Sequence, residues 1–343
     1  MANIRFYKPA LFRKDMDAVL QTMVDEKIGP GEKKREFVKA MAEYLKRKSG
    51  FALRTYFDSI ALALESLGLE NGDGVALSVL TPKIYLEAIK KLSLKPIYVD
   101  TDKAFMPSVE EISKKSESIK ALILFEPCSQ VPANIEEFKS LSIPIIEDIT
   151  ESIGSSFGDI KPGSIGNILL ISTEEDCIVS TAGGAVILTD NEEYTENIKK
   201  NTSNTSRYIE LPDLNASLGI VQLGKLDTIL ERRSNIYRTF QQAIMKSDAV
   251  LFGSNNMVDF TSNGSSFAVI VNSKPEDTIA FAQKYSVTAK KTFSNAVGSR
   301  YLDRFDLYPN AIAALTRSVS FPLYPFLSAL EIETIVKVIS HLH

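Results

Sequence analysis

The sequence predicts an α/β protein: a large domain with a mixed, mainly parallel sheet between helices, then a smaller α+β domain. Three observations carry that prediction. Short apolar runs alternate with helical segments between residues 74 and 148 in a β-α-β-α rhythm. Past residue 165 the character changes to hairpin-like strands flanking a polar turn. Finally, 343 residues exceed the usual size of one core and favour two domains. The expected division is an N-terminal arm and large domain over 1–235 and a small domain over 236–343.

From Lys14 to Leu45 apolar residues recur at helical spacing, interrupted by Gly29-Pro30-Gly31. Asp58 to Leu67 reads as an amphipathic helix opened by an aspartate cap. Strand-like runs follow at Gly74 to Leu80, Pro96 to Asp100, Ala121 to Phe125 and Ile143 to Asp148, with helices at Ile84 to Leu92 and Ile135 to Leu141. Ile168 to Ser172 and Gly184 to Thr189 form the hairpin, and one long helix is expected from Pro212 through Arg233 toward Ile244. The remainder mixes a strand at Ser266 to Val271 with helices at Pro275 to Tyr285 and Ala329 to Leu342. In open α/β sheets the loops at the carboxyl ends of the strands carry ligand sites, so the loops after residues 54, 80, 148 and 172 are expected to line a crevice.

Composition narrows the function classes. Acidic residues outnumber basic ones, 43 to 39, which gives no global attraction to nucleic acid or anionic membranes. No stretch is long and apolar enough to span a bilayer, and the N-terminal residues lack a signal-peptide pattern, so the cytoplasm is the expected location. Cys128 and Cys177 form neither a metal-type spacing nor a disulfide framework. The two histidines, His341 and His343, lie in the last three residues, which argues against an internal histidine base, triad or zinc site. No metal is expected.

Three segments form an ordered pattern. They are Ile145-Ile146-Glu147-Asp148-Ile149-Thr150-Glu151-Ser152-Ile153-Gly154 with Gly163-Ser164-Ile165-Gly166-Asn167; Ala182 to Asp190; and Leu214-Asn215-Ala216-Ser217-Leu218-Gly219-Ile220-Val221-Gln222-Leu223, continuing to Leu230-Glu231-Arg232-Arg233. In order and spacing they resemble the DegT/StrS family of sugar aminotransferases, which have the fold-type I pyridoxal-phosphate (PLP) architecture and aminate nucleotide-linked keto-sugars. Gly29-Pro30-Gly31, Pro96 to Asp100 and Ser320 to Pro325 fall where that family has similar residues. The resemblance spans nearly the whole chain and implies the family fold, and a homodimer with its site at the subunit interface.

PLP chemistry requires a lysine for the resting Schiff base, a carboxylate opposite the pyridine nitrogen, and donors for the phosphate. By resemblance Asp148 holds the pyridinium-partner position. Aligning the glycines of Ala182-Gly183-Gly184 puts Asp176 at the lysine position, and a one-residue slip gives Cys177 or Glu175. None of these can form a Schiff base, and the nearest lysine, Lys161, falls on another loop. Where the family has a small phosphate-binding turn, this chain has Thr55-Tyr56-Phe57 and then Asp58, whose carboxylate is expected to cap its own helix and repel an anion. Pro82 falls at the position of the stacking aromatic, Glu151 replaces a Gln or His, and Arg207-Tyr208-Ile209-Glu210 replaces a segment that reaches the partner subunit's cofactor. With Ser172 these residues form the expected remnant pocket. Asp58, Asp148, Glu151, Asp176 and Glu210 are expected to converge there and disfavour an anionic cofactor.

The resulting expectation is a non-catalytic member of the aminotransferase family. It would act in assembly or regulation or as a sugar-nucleotide binder, without a cofactor, as a homodimer or with an active relative. Two alternatives stand beside it. One is an enzyme of sugar-nucleotide or polysaccharide biosynthesis with PLP-independent chemistry, its carboxylates acting as acid and base and Cys128 adding a thiol. The other is a working PLP aminotransferase whose lysine lies elsewhere.

Overall fold

The computed structural model describes residues 3–253, 259–304 and 306–342. The large sheet takes strands β1 (Ser49–Leu53), β2 (Gly74–Ser78), β3 (Lys95–Val99), β4 (Ile119–Phe125) and β5 (Ile145–Asp148). After the two-residue strand β6 (Ser156–Phe157) it is completed by β7 (Ile168–Ser172) and β8 (Ala185–Thr189). The order across the seven strands is β1-β8-β7-β5-β4-β2-β3. Its central pairings are parallel, while β8 runs antiparallel to both β7 and β1.

β2, β7 and β8 are buried at every residue, as expected of strands covered on both faces. Alternate side chains serve opposite faces. Ile168, Leu170 and Ile187 join the core under helices Tyr56–Ser66 and Ile84–Lys91. Leu169, Ile171, Val186 and Leu188 pack instead with Phe37 and Met41 of helix Glu32–Tyr44 and Ala216 of helix Asp213–Leu223.

A second sheet gathers β9 (Val250–Leu251), β11 (Phe267–Ile270), β12 (Lys290–Lys291) and β13 (Ser318–Phe321) in the order β12-β13-β11-β9, all antiparallel. The short strand β10 (Phe260–Thr261) pairs with β6 instead. Helix Leu226–Ile244 links the cores: Leu226 and Ile229 pack with the large sheet, whereas Ile236, Tyr237 and Phe240 pack under the four-stranded one.

Two expectations are corrected. The stretch from Pro212 to Ile244 is two helices, Asp213–Leu223 and Leu226–Ile244, separated at Gly224 and Lys225. Glycine is a poor helix former, and the break lets the second helix run to the other core. β1, which the hydrophobic periodicity does not announce, pairs along its whole length with β8. Among the described residues no helix is long and apolar enough to cross a membrane.

Candidate functional site

The loops following β2, β5 and β7, together with the first turn of helix Tyr56–Ser66, open onto one cleft of about 440 Å³. Its large-sheet side carries Tyr56, Pro82, Thr150, Glu151, Ser172 and Asp176. The opposite wall is supplied by Phe6 and Tyr7 of the N-terminal arm, Arg233, and residues around the four-stranded sheet such as Ser265 and Thr292.

Asp148 ends β5 beneath this cleft and is wholly buried. Its Oδ1 accepts from the Thr150 amide at 2.9 Å and the Thr150 hydroxyl at 2.5 Å. Its Oδ2 accepts from the Tyr85 hydroxyl at 2.6 Å and from the Tyr56 hydroxyl. Burial pushes the Asp148 carboxyl up, and these four donors oppose the rise. Burial, reinforced by the Asp148 charge, lifts both tyrosines well above their ordinary value. Thr150 also ties the next strand in, its hydroxyl accepting from the Ser172 amide at 2.9 Å.

The neighbouring carboxylate has another task. Glu147 points to the other face of β5 and accepts from the amides of Gly163, Ile165 and Gly166. The Gly163-Ser164-Ile165-Gly166 motif is therefore a backbone nest around Glu147. Gly166 is constrained by packing, since a Cβ there would lie 2.5 Å from the Glu147 Cβ.

Glu151 accepts from the Cys128 amide at 2.7 Å. Its carboxyl is pushed up to about 7, chiefly by burial, with Asp148 and Asp176 adding to the rise. Burial likewise raises the Cys177 thiol to about 12, and Cys128 is raised as well, so neither is poised as a thiolate. Arg233 is 4% exposed; its Nη1 donates to the carbonyls of Gly264 at 2.9 Å and Leu323 at 3.0 Å, and burial lowers it to about 10.

Several expected site residues fall elsewhere. Asp58 does not cap its helix. The helix begins at Tyr56, the Thr55 hydroxyl caps the Asp58 amide at 3.0 Å, and the Asp58 carboxylate accepts the Thr55 hydroxyl proton at 2.7 Å. The chain turns one residue earlier than the acidic-cap signal suggests, because threonine also favours the cap. Thr55, Phe57 and Asp58 do not line the cleft, and Phe57 lies under the Lys91 ammonium. The five carboxylates do not converge. Glu210 pairs with Lys34 at 2.5 Å in a separate groove that shares no lining residue with the cleft. Asp148 lies beneath the cleft, leaving Glu151 and Asp176, joined by Glu174, as its acidic lining.

Tyr7, Tyr85, Thr150 and Arg233 carried no site role in the sequence reading. Tyr85 reads only as an apolar helix position, and Tyr7 and Arg233 reach the cleft through long-range packing.

A seven-stranded, mainly parallel sheet with its cleft beyond the strand ends, and an aspartate ending the strand beneath it, is the architecture of PLP-fold sugar aminotransferases. The DegT/DnrJ/EryC1/StrS aminotransferase family model matches residues 10–340, and the chain belongs to that family. It is similar to the spore coat polysaccharide biosynthesis protein SpsC of Bacillus subtilis, with 21% identity over 96% of this chain and 95% of SpsC. Among solved structures, Spr1654 of Streptococcus pneumoniae in its PLP form has a TM-score of 0.88 at 19% identity, covering 98% of each chain. PseC of Helicobacter pylori, an aminotransferase involved in pseudoaminic acid biosynthesis, has a TM-score of 0.87 at 15% identity, covering 98% of each chain.

These comparisons correct the expectation that no cofactor belongs here. The family is one of PLP-dependent aminotransferases, Spr1654 is known in PLP and pyridoxamine-phosphate forms, and no observation shows the cofactor to be lost. Among the described residues no lysine lines the cleft, and Lys161 is exposed. Asp148, which by resemblance would face the ring nitrogen, accepts from the hydroxyl of Tyr56, itself a lining residue.

Proposed function

We propose that this chain serves polysaccharide biosynthesis as a family member that does not itself transfer an amino group, acting in assembly or regulation or as a sugar-nucleotide binder. The observation that supports the reading is the cleft lining, which holds Glu151, Glu174 and Asp176 and, among the described residues, no lysine. A carboxylate cannot form an imine with a carbonyl, and among the described residues no lysine lines the cleft. The likeness to SpsC supports the pathway class. PLP binding is a separate matter from this missing amine.

The test is isotopic. Purified protein, PLP, ¹⁵N-glutamate and a nucleotide-linked keto-sugar are incubated together, and product is examined by mass spectrometry. No ¹⁵N-labelled sugar is expected; enzyme-dependent labelling overturns the reading.

Glu151 favours the second reading, PLP-independent acid-base chemistry. A carboxyl raised to about 7 in a cleft suits proton transfer near neutrality. Turnover of a nucleotide sugar without PLP, abolished in Glu151→Gln, would favour it over the first.

The proposed assembly is a cytoplasmic homodimer, with a heteromer containing an active relative as its variant. Helix Arg13–Val24 exposes Met16, Leu20, Met23 and Val24, and Tyr208 is 72% exposed, both features of a surface that a partner covers. Light scattering coupled to size exclusion tests the dimer. The proposed domain division, near residue 235, falls within helix Leu226–Ile244, where its packing passes from one core to the other.

A further inference from the structure

We propose that Glu126 and Glu147 share one proton as a buried acid–carboxylate pair, and that losing it at alkaline pH releases the glycine nest at 163–166. Neither residue lines the cleft, so the pair stands apart from whatever the cleft binds.

The sheet brings the two side chains together. Strands β4 and β5 run parallel, with Leu124 opposite Glu147. Glu126 lies two residues beyond Leu124, where the pleat returns its side chain to the same face. Its amide donates to the Asp148 carbonyl at 3.2 Å. Glu126 is 0% exposed and Glu147 1%. Among the described residues no cation pairs with either carboxyl group. Arg47, which reaches the nest, donates to the Gly163 and Gly166 carbonyls and to Asp190. Helices Val109–Lys114 and Ile135–Lys139 cover this face with Ile112 and Phe138. Their charged residues Glu110, Lys114, Glu136, Glu137 and Lys139 are exposed, and Glu111 accepts from the Asp100 amide.

The hydrogen bonds decide which partner holds the proton. Glu147 accepts from three amides, those of Gly163 and Ile165 at 2.7 and 2.9 Å, and such donors favour the charged form. Glu126 has one donor, the Ser152 hydroxyl on Oε2. Its Oε1 is buried, and among the described residues no donor meets it. As a carboxylate oxygen that atom would be costly to bury, whereas as an acid it can donate to Glu147, which lies within hydrogen-bonding reach. Burial pushes the Glu126 carboxyl well above the carboxylate range, with the Glu147 charge next in effect and Asp148 adding to it. The native state therefore binds this proton more tightly than the unfolded chain does. Stability is intact below the ordinary carboxylate range and falls as pH rises toward the folded value. A proton lost to solvent leaves two like charges side by side in the interior. Both β4 and β5 are paired on each side, so the loop carrying the nest is the part that can yield.

Two measurements on the full chain test the pair. Infrared difference spectra of ¹³C-glutamate-labelled parent and Glu126→Gln at about pH 6 should show an un-ionised carboxyl stretch that the variant lacks. Hydrogen exchange read by mass spectrometry, corrected for intrinsic rates, should show segment 158–167 of the parent losing about tenfold in protection between about pH 6 and pH 9. Helix Leu226–Ile244 should keep its protection over that range. In Glu126→Gln the side-chain amide donates to Glu147 and accepts from Ser152 at any pH, so segment 158–167 should stay protected. Ser152→Ala removes the donor that favours ionised Glu126 and should move the loss to higher pH; it is the second variant if the first does not fold. The proposal is overturned by an infrared band that Glu126→Gln leaves unchanged, by protection of 158–167 that does not fall in the parent, or by a fall that both share equally. A fall that Ser152→Ala moves to lower pH overturns it as well.

Discussion

Tyr56 donates its hydroxyl proton to the Oδ2 of Asp148, so an aromatic side chain from the first turn of a helix stands between the buried carboxylate and the cleft. The contact is shared with Tyr85, whose ring meets that of Tyr56 edge-on with centroids 6.0 Å apart. The strand-end aspartate is thereby held by its own fold.

Removing that donor should be felt in stability. Tyr56→Phe leaves Asp148 with Tyr85 and Thr150 as donors and is expected to cost about 1.5–3 kcal/mol, the range for a hydrogen bond to a charged group. Urea unfolding measures it. An unchanged midpoint would show that the hydroxyl contributes nothing to the native state.

Glu151 should make stability depend on pH in a defined direction. Its folded carboxyl, at about 7, lies above the ordinary value of 4.5, so the native state binds the proton more tightly than the unfolded chain. Its destabilising effect is absent at low pH, grows as pH rises through that window, and is complete above about 7. Glu151→Gln keeps an acceptor for the Cys128 amide and removes the charge. The variant should therefore melt higher than the parent at about pH 8 and nearly equal to it at about pH 4. A constant difference across that range would remove Glu151 as the source.

Asp213 should prove to be a cap supplied from another part of the chain. Its carboxylate accepts from the amides of Gly31 at 2.8 Å, Lys33 at 3.1 Å and Lys34 at 2.9 Å, closing the start of helix Glu32–Tyr44. Asp213→Ala is expected to cost about 2 kcal/mol, because a strong cap and a buried acceptor are lost together. Hydrogen exchange should speed up in the first turn of that helix; slow exchange there in the variant would contradict the assignment.

Gly219 should not tolerate a side chain. A Cβ there would lie 2.6 Å from the Thr181 methyl and 2.7 Å from the buried Phe37 ring. Gly219→Ala is expected to cost about 1–3 kcal/mol by overpacking, despite the higher helix propensity of alanine. A thermal melt of the variant matching the parent would show that Phe37 moves freely.

The motif containing Gly219 shows what was legible and what was not. Leu214 to Leu223 could be recognised from order and spacing, but its physical meaning appears only in the fold. There Asn215 reaches the Thr181 carbonyl at 2.7 Å, and Gly219 lets its helix close on Phe37. Likewise Glu147-Asp148 read as a strand end, whereas the pleat decides that one carboxylate enters a glycine nest and the other meets two tyrosines. Thr55 and Asp58 were both credible caps, and one turn of helix decided between them.

By itself the sequence determined the fold class, most of the strand-helix order and the family resemblance, and it places no lysine between Ser172 and Gly184. These are properties of local pattern, where periodicity, turn residues and motif spacing act over short stretches of chain. Only the tertiary structure decided which carboxylates share the cleft, that Glu210 is paired with Lys34 instead, and that Tyr56 covers Asp148. Those facts depend on contacts between residues far apart in sequence. Desolvation, which sets the charge state of Glu151 and leaves Arg233 Nε without an acceptor, exists only once the chain has closed around them.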